Sequence, residues 1–350
     1  MTRREHYYPG TEPLGPDEMR VTALGTGRPF LRRAQANTSF LIELGNGDIF
    51  MMDFGAGSQM NFTALEIPYQ DITAYFVTHL HADHVGDFAN VWVGGWAGGR
   101  LRPMEIWGPS GLVPEHGLKH FVDTQVASYA WDTMTRVGLL PEDGAVVVAH
   151  EFDYAVPATV YDRNGVVLKA FPAVHIYDGP ISYRLEWNGL TFVFSGDTTP
   201  SRFMLEHGKG ADLLIHEAFN TVDQLMARSG YDLRTATGIG TIAHTAPSEV
   251  GPVLAECAPR HAVLYHHFND FDTAPGIEAD VRKTYDGPLT LARDLMVWNV
   301  TKDEIAVRMA VVADHVWPNK THHDDFRSAS RAERPKMSPW LAEAILFPKG

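Results

Sequence analysis

Four groups able to bind a divalent cation lie within six positions of one another in the stretch Thr78-His-Leu-His-Ala-Asp-His84. Imidazole nitrogens together with a carboxylate suit zinc, and also iron or manganese. His79 and His81 are two residues apart and can point the same way as an extended segment unravels. Asp83 and His84 fall on the first helical turn after it and can reach a second position. The pattern reads as a dinuclear metal site in miniature, and its meaning depends on the elements that hold it.

Residues 72–77, Ile-Thr-Ala-Tyr-Phe-Val, form a β-branched and aromatic run that predicts a buried strand. The ligands then leave its carboxyl end, where α/β proteins place their chemistry. Further strands are expected at 20–24, followed by Gly25-Thr-Gly27, and in a hairpin at 39–44 and 49–53 around Gly45-Asn-Gly-Asp48. Others fall at 104–107, 146–152, 159–161 and 166–170, in a hairpin at 181–187 and 190–194, and at 212–215 and 261–265. Residues 86–96 predict a helix at the mouth of the site. Residues 112–138 carry Leu118, Phe121, Val122, Val126, Tyr129, Met134 and Val137 at helical spacing, which reads as packing helices, with Tyr129 and Trp131 available to line a pocket. Helices are also expected at 221–229 and 249–256. Hairpins followed by strand–helix units predict an α/β fold of two sheets packed face to face with helices outside. The main domain spans 20–315, with an insertion at 112–170 near the active-site mouth. Residues 1–19 read as an extended arm, and 294–300 and 305–311 as edge strands. In the tail, 316–350, the apolar segment 340–347 is expected to dock on the body or on a neighbouring subunit.

Thr-His-Leu-His-Ala-Asp-His resembles the HxHxDH signature of the metallo-β-lactamase superfamily. The segment from Asn37-Thr-Ser to Asp53-Phe-Gly-Ala-Gly-Ser-Gln59 resembles the opening motif of its ribonuclease Z and arylsulfatase branch. The resemblance implies a four-layer αββα fold and two divalent cations per chain, zinc foremost, with a bridging hydroxide as nucleophile. It implies one site of His79, His81 and His175, a second of Asp83, His84 and His267, and Asp197 of Ser195-Gly-Asp197 as the bridge. His267 is favoured in Tyr265-His-His-Phe268 because the related pattern is His followed by Phe; His266 is the fallback. His216-Glu-Ala218 and His244-Thr245 resemble the ribonuclease Z pairs His-Glu-Ala-Thr and His-Ser-Thr. Carried over, His244 assists the leaving group and Glu217 orients it, so that Asp83, His244 and Glu217 are the catalytic residues. The alternative role for the pair is a network supporting the metal ligands. The chain also resembles the metallo-β-lactamase-fold hydrolases associated with guanitoxin biosynthesis.

Two departures narrow the substrate. Ribonuclease Z carries a basic protruding arm, whereas 112–170 holds helices and the acidic run Pro141-Glu-Asp-Gly144, and Phe219 stands where that enzyme has Thr. The net charge of −14 argues against a nucleic-acid partner, because phosphate contacts need clustered Lys and Arg. The expected substrate is a small anionic phosphodiester or sulfate ester. A lactone or β-lactam is the alternative, and a tRNA 3′ end the lesser one. Cys257 is the lone cysteine, no apolar run reaches membrane-spanning length, and the start lacks an apolar signal region. A cytoplasmic homo-oligomer, a dimer, is the expectation.

Overall fold

The computed structural model describes residues 4–317 and 335–347. Among the described residues, nine strands form the first sheet. In chain order they are β1 (His6–Tyr7), β2 (Met19–Gly25), β3 (Ser39–Leu44), β4 (Ile49–Met52), β5 (Ala74–Phe76), β6 (Met104–Pro109) and β7 (Val147–Phe152), with the two late strands Met296–Val300 and Ile305–Ala310. The second sheet holds β8 (Ala158–Arg163), β9 (Val166–Pro172), β10 (Ile181–Trp187), β11 (Leu190–Phe194), β12 (Leu213–Glu217), β13 (His261–Tyr265) and β14 (Leu289–Leu291). The late strands of the first sheet are β15 and β16. Spatial order is β1-β16-β15-β2-β3-β4-β5-β6-β7 in one sheet and β14-β13-β12-β11-β10-β9-β8 in the other.

Local chemistry explains the hairpins. Asn164-Gly165 and Asn188-Gly189 both adopt positive φ at both residues, the turn whose twist matches that of the strands it joins. Strand alternation then builds three layers of core. On β5, Ala74 and Phe76 face the other sheet, while Tyr75 faces the helices. On β10, Ile181, Tyr183, Leu185 and Trp187 all point between the sheets. Phe76 lies 5.6 Å from Tyr183 and 5.4 Å from Trp107, so the strand that carries the histidine motif is locked onto the strand pair that carries Asp197. Truncating such a residue typically costs about 3–5 kcal/mol. Helices Ser58–Ala64 and Leu118–Ser128 cover the outer face of the first sheet, and Arg202–His207, Pro247–Cys257 and Ala274–Val281 that of the second. The result is the expected αββα sandwich.

Several local expectations change. The strand at 296–300 is interior, not an edge, because β2 pairs with its far side; β16 is in turn covered by β1. The N-terminal arm is therefore partly a strand, and Tyr7 is buried between the guanidinium groups of Arg20 and Arg308, 4.5 and 5.5 Å from its ring. The helix at the mouth contains a π turn, Asn90–Gly94. Within 112–138 the packing role falls on Leu118, Phe121, Val122 and Val126, whereas helix Ala130–Arg136 buries no residue and Trp131 is 74% exposed. The apolar segment 340–347 does not dock on the body: Trp340, Leu346 and Phe347 are exposed. Residues 318–334 and 348–350 of the tail lie outside the described residues.

Candidate metal centre

Except for His244, which follows the helical turn Gly238–Ala243, the residues of the centre sit at a strand end or one turn beyond it. His79 and His81 follow β5, and Asp83 and His84 ride on the one-turn helix Ala82–Val85. His175 follows β9, Asp197 follows β11, Glu217 ends β12 and His266 follows β13. Strands β11, β12 and β13 run parallel, so their carboxyl ends gather at one rim of the sandwich. The approach to Asp197 is tight. Gly196 has φ +59, and a Cβ there would stand 2.8 Å from the Cβ of Thr78, so the two site loops touch only because this residue has no side chain.

Among the described residues, two groups of side chains share Asp197. The first holds His79, His81, His175 and Asp197; the second holds Asp83, His84, Asp197 and His266. In the first, His79 Nε2 is 3.0 Å from His81 Nδ1, which is 3.3 Å from His175 Nε2. In the second, His266 Nε2 is 3.1 Å from Asp83 Oδ2 and 3.4 Å from Asp197 Oδ2. Oδ1 of Asp197 and Nε2 of His84 stand 3.2 Å apart, buried, and neither has a hydrogen-bond partner among the described residues. Facing lone pairs of this kind are satisfied by a cation, which is the observation that fits the donor set to metal.

Burial depresses the pKa of His79 and His81, and that of His175 to about 4, keeping these rings in the neutral form that ligates. His84 differs. Burial opposes its charge, but Asp197, Asp53 and Asp83 outweigh burial and hold its pKa well above the ordinary value, so a cation taken at Nε2 would displace a proton from it. Asp197 is likewise buried, yet His266 and His84 keep its carboxyl well below the usual range.

One expected residue is misplaced by a single position. His267 turns away from the centre, and its Nδ1–H donates to the carbonyls of Ala218 and Tyr265 at 3.0 and 3.2 Å. His266 takes its place because its backbone is left-handed, φ 71, which swings its ring under Asp83 and Asp197. A non-glycine residue in that region costs on the order of 1–2 kcal/mol, and such strain concentrates at functional sites.

Glu217 and His244 meet at 2.9 Å, Nδ1 to Oε1, beside the second group. Burial opposes a charge on His244, but Glu217 outweighs it and raises the pKa. Glu217 is itself fixed: its Oε1 accepts the backbone N–H of Thr198 at 3.0 Å. The Phe219 ring stacks on His244 at 4.4 Å. A supporting residue beyond those expected is Asp53, whose carboxylate accepts from Nδ1–H of His84 at 2.7 Å and from the amide and hydroxyl of Thr78 at 2.8 Å each. Its signal lay in Asp53-Phe-Gly-Ala-Gly57, where a carboxylate ends a buried strand. Beside the first group opens a cavity of about 340 Å³, lined by His79, His81, His175, His116, Ile176 and Tyr177. Glu115 and His116, at the start of the 112–170 segment, stand at this mouth; Tyr129 and Trp131 do not line it.

The comparisons with known proteins bear on the fold and the family. A family profile described as "Anti-Pycsar protein Apyc1" matches residues 19–226, more than half of the chain. A ribonuclease Z of Mycolicibacterium paratuberculosis is 33% identical over 205 residues, 56% of this chain and 69% of that protein. Two crystal structures share the fold. The metallo-β-lactamase-fold protein YhfI of Bacillus subtilis has TM-score 0.60 at 17% identity, covering 81% of this chain and all of its own. The short form of human tRNase Z has TM-score 0.59 at 21% identity, covering 79% and 98%. The chain belongs to the family described as Anti-Pycsar protein Apyc1, within the ribonuclease Z branch of the metallo-β-lactamase-fold metal-dependent hydrolases.

Proposed function

We propose that this hydrolase acts on a small anionic ester, a phosphodiester foremost and a sulfate ester second, with two divalent cations, most readily zinc, shared across Asp197. What carries the reading is the pair of four-residue groups joined by one carboxylate. When bound, such cations would lower the pKa of a coordinated water and stabilise the oxygens around the attacked centre. His79, His81 and His175 would hold one, and Asp83, His84 and His266 the other. The chain's own contribution is to hold the substrate against this centre and to manage the leaving group. His244, whose raised pKa favours the imidazolium, keeps its Nδ1–H on Glu217 and donates its Nε2–H to the departing oxygen, becoming neutral, and Glu217 fixes the ring. A phosphodiester needs this help when its leaving group is an alkoxide. A lactone or β-lactam opens through a carbonyl and makes less use of the pair.

The size of the cavity, about 340 Å³, and the acidic net charge of −14 support a small substrate over a folded RNA. A second reading, tRNA 3′ processing, is favoured by the ribonuclease Z relatives. A panel of bis-p-nitrophenyl phosphate, p-nitrophenyl sulfate, a lactone, nitrocefin and a precursor tRNA tests the proposal. Preferential turnover of the phosphodiester is expected. Efficient cleavage of the tRNA at physiological salt, or of the lactone with the diester untouched, would sink it. The exposed apolar residues Trp340, Leu346 and Phe347 support a homodimer in solution, which sedimentation of the full chain against one truncated after residue 335 checks.

A further inference from the structure

Four arginines are buried among the described residues, and three of them are paired. Arg20 meets Glu43, Arg308 meets Glu12, and Arg100 donates to the carbonyls of Trp92 and Arg102. Arg28 is the exception. It is 7% exposed, its Nε has no partner, and no hydrogen bond or ion pair among the described residues uses its guanidinium. What it touches instead are two aromatic faces, Phe219 at 4.7 Å and Phe268 at 4.0 Å.

An unpaired buried cation is expensive, and cation–π contact recovers only part of that cost. A guanidinium left without an acceptor, yet held against two rings, is poised to receive one. Its planar fork suits a phosphate or carboxylate. The space for such a group is present. Arg28 lines a cavity of about 190 Å³ together with Arg32, Arg228, Asn220, Gln224 and Asp270. Arg32 is bound to Asp270 and Arg228 is paired with Asp272, so the two carboxylates neutralise two of the three cations and leave the charge of Arg28 over. The amides of Asn220 and Gln224 are committed to each other and to the backbone at Phe268 and Thr273, which makes the walls stiff. Burial foremost, with Arg32, lowers the Arg28 pKa to about 10 against the opposing pull of Tyr231 and Asp83, which leaves it a cation at neutral pH.

We propose that Arg28 is the recognition cation of an oxyanion site, one aromatic ring removed from the metal centre, that takes a phosphate or carboxylate group. Phe219 joins the two places: its ring is shared by Arg28 and by the stacked His244. An anion drawn onto Arg28 therefore settles the ring against which His244 is stacked. The group arrives either as a free ion or as a second anionic group on the substrate.

The probe is inorganic phosphate, titrated by calorimetry into the metal-loaded protein. The metal centre also takes phosphate, so the reading is the difference between wild type and Arg28→Gln. Loss of one binding event in Arg28→Gln, or a rise of at least about tenfold in its dissociation constant, is expected from removing a charge-assisted contact. Arg28→Lys, which keeps the charge and loses the fork, should fall between the two, and it carries the test if Arg28→Gln does not fold. Superimposable isotherms for wild type and the variant overturn the site. The source of the group follows from inhibition of bis-p-nitrophenyl phosphate turnover. Arg28-dependent competitive inhibition assigns it to the substrate, and an Arg28-dependent noncompetitive effect assigns it to a free anion. The calorimetry needs no turnover, so its failure is distinguishable from failure of the phosphodiester reading.

Discussion

Asp53 reaches His84 from the end of a neighbouring strand, with its carboxylate 2.7 Å from Nδ1. The contact decides which ring nitrogen faces Asp83 and Asp197. Because Nδ1–H is committed to Asp53, Nε2 is the atom left for a cation. Asp53→Asn should weaken metal at the second group by about 10–100-fold while the first group stays filled. Metal analysis across a chelator series reads this; unchanged retention would show that Asp53 serves only the fold.

Asp197 belongs to both groups. Two metals per chain are expected at saturation, with Asp197→Ala weakening both and His84→Ala emptying chiefly the second. A saturated wild type with a single equivalent contradicts the assignment.

The adjacent pair His266 and His267 provides an internal control. His266→Ala should lower metal content, because its Nε2 faces Asp83 and Asp197. His267→Ala should retain metal and lose about 1–3 kcal/mol of stability, because a buried hydrogen-bonded ring is removed. The reverse pattern in metal content would restore His267 as the ligand.

For His244 the leaving group is the readout. A nitrophenolate departs without a proton and an alkoxide does not. His244→Ala should cost about 10²–10⁴-fold with alkyl diesters and little with nitrophenyl diesters, at full metal content. Glu217→Gln should follow more weakly. Equal losses on both substrates together with lost metal would make the pair a structural support.

His216 is fully buried, with its pKa lowered to about 4 by burial from an ordinary 6.5. The unfolded chain therefore binds this proton more readily than the folded one. Stability is complete above the unfolded value and is lost as pH falls from 6.5 toward 4. Between about pH 7.5 and about pH 5 this one group should account for about 2 kcal/mol. His216→Gln should shrink the fall in urea-derived stability over that interval; an identical fall would show that other groups govern it.

How much of this was legible in the chain itself is clearest at two places. The His79–His84 run, the Asn-Gly turns and the alternation on β5 and β10 are local, and local pattern specifies them: side-chain period, turn conformation and ligand spacing act over a few residues. The order of strands in the sheets, the interior place of β15 and the choice of His266 over His267 were decided elsewhere. That choice rests on a left-handed residue stabilised by contacts from Asp83 and Thr26, more than 180 positions away in the chain. Arg28 is the same case. In sequence it is one basic residue beside Gly27. Only the packing of Phe219 and Phe268, brought from the far end of the second sheet, leaves it buried without a carboxylate, because the cost of an unpaired charge is a property of its surroundings and not of the residue.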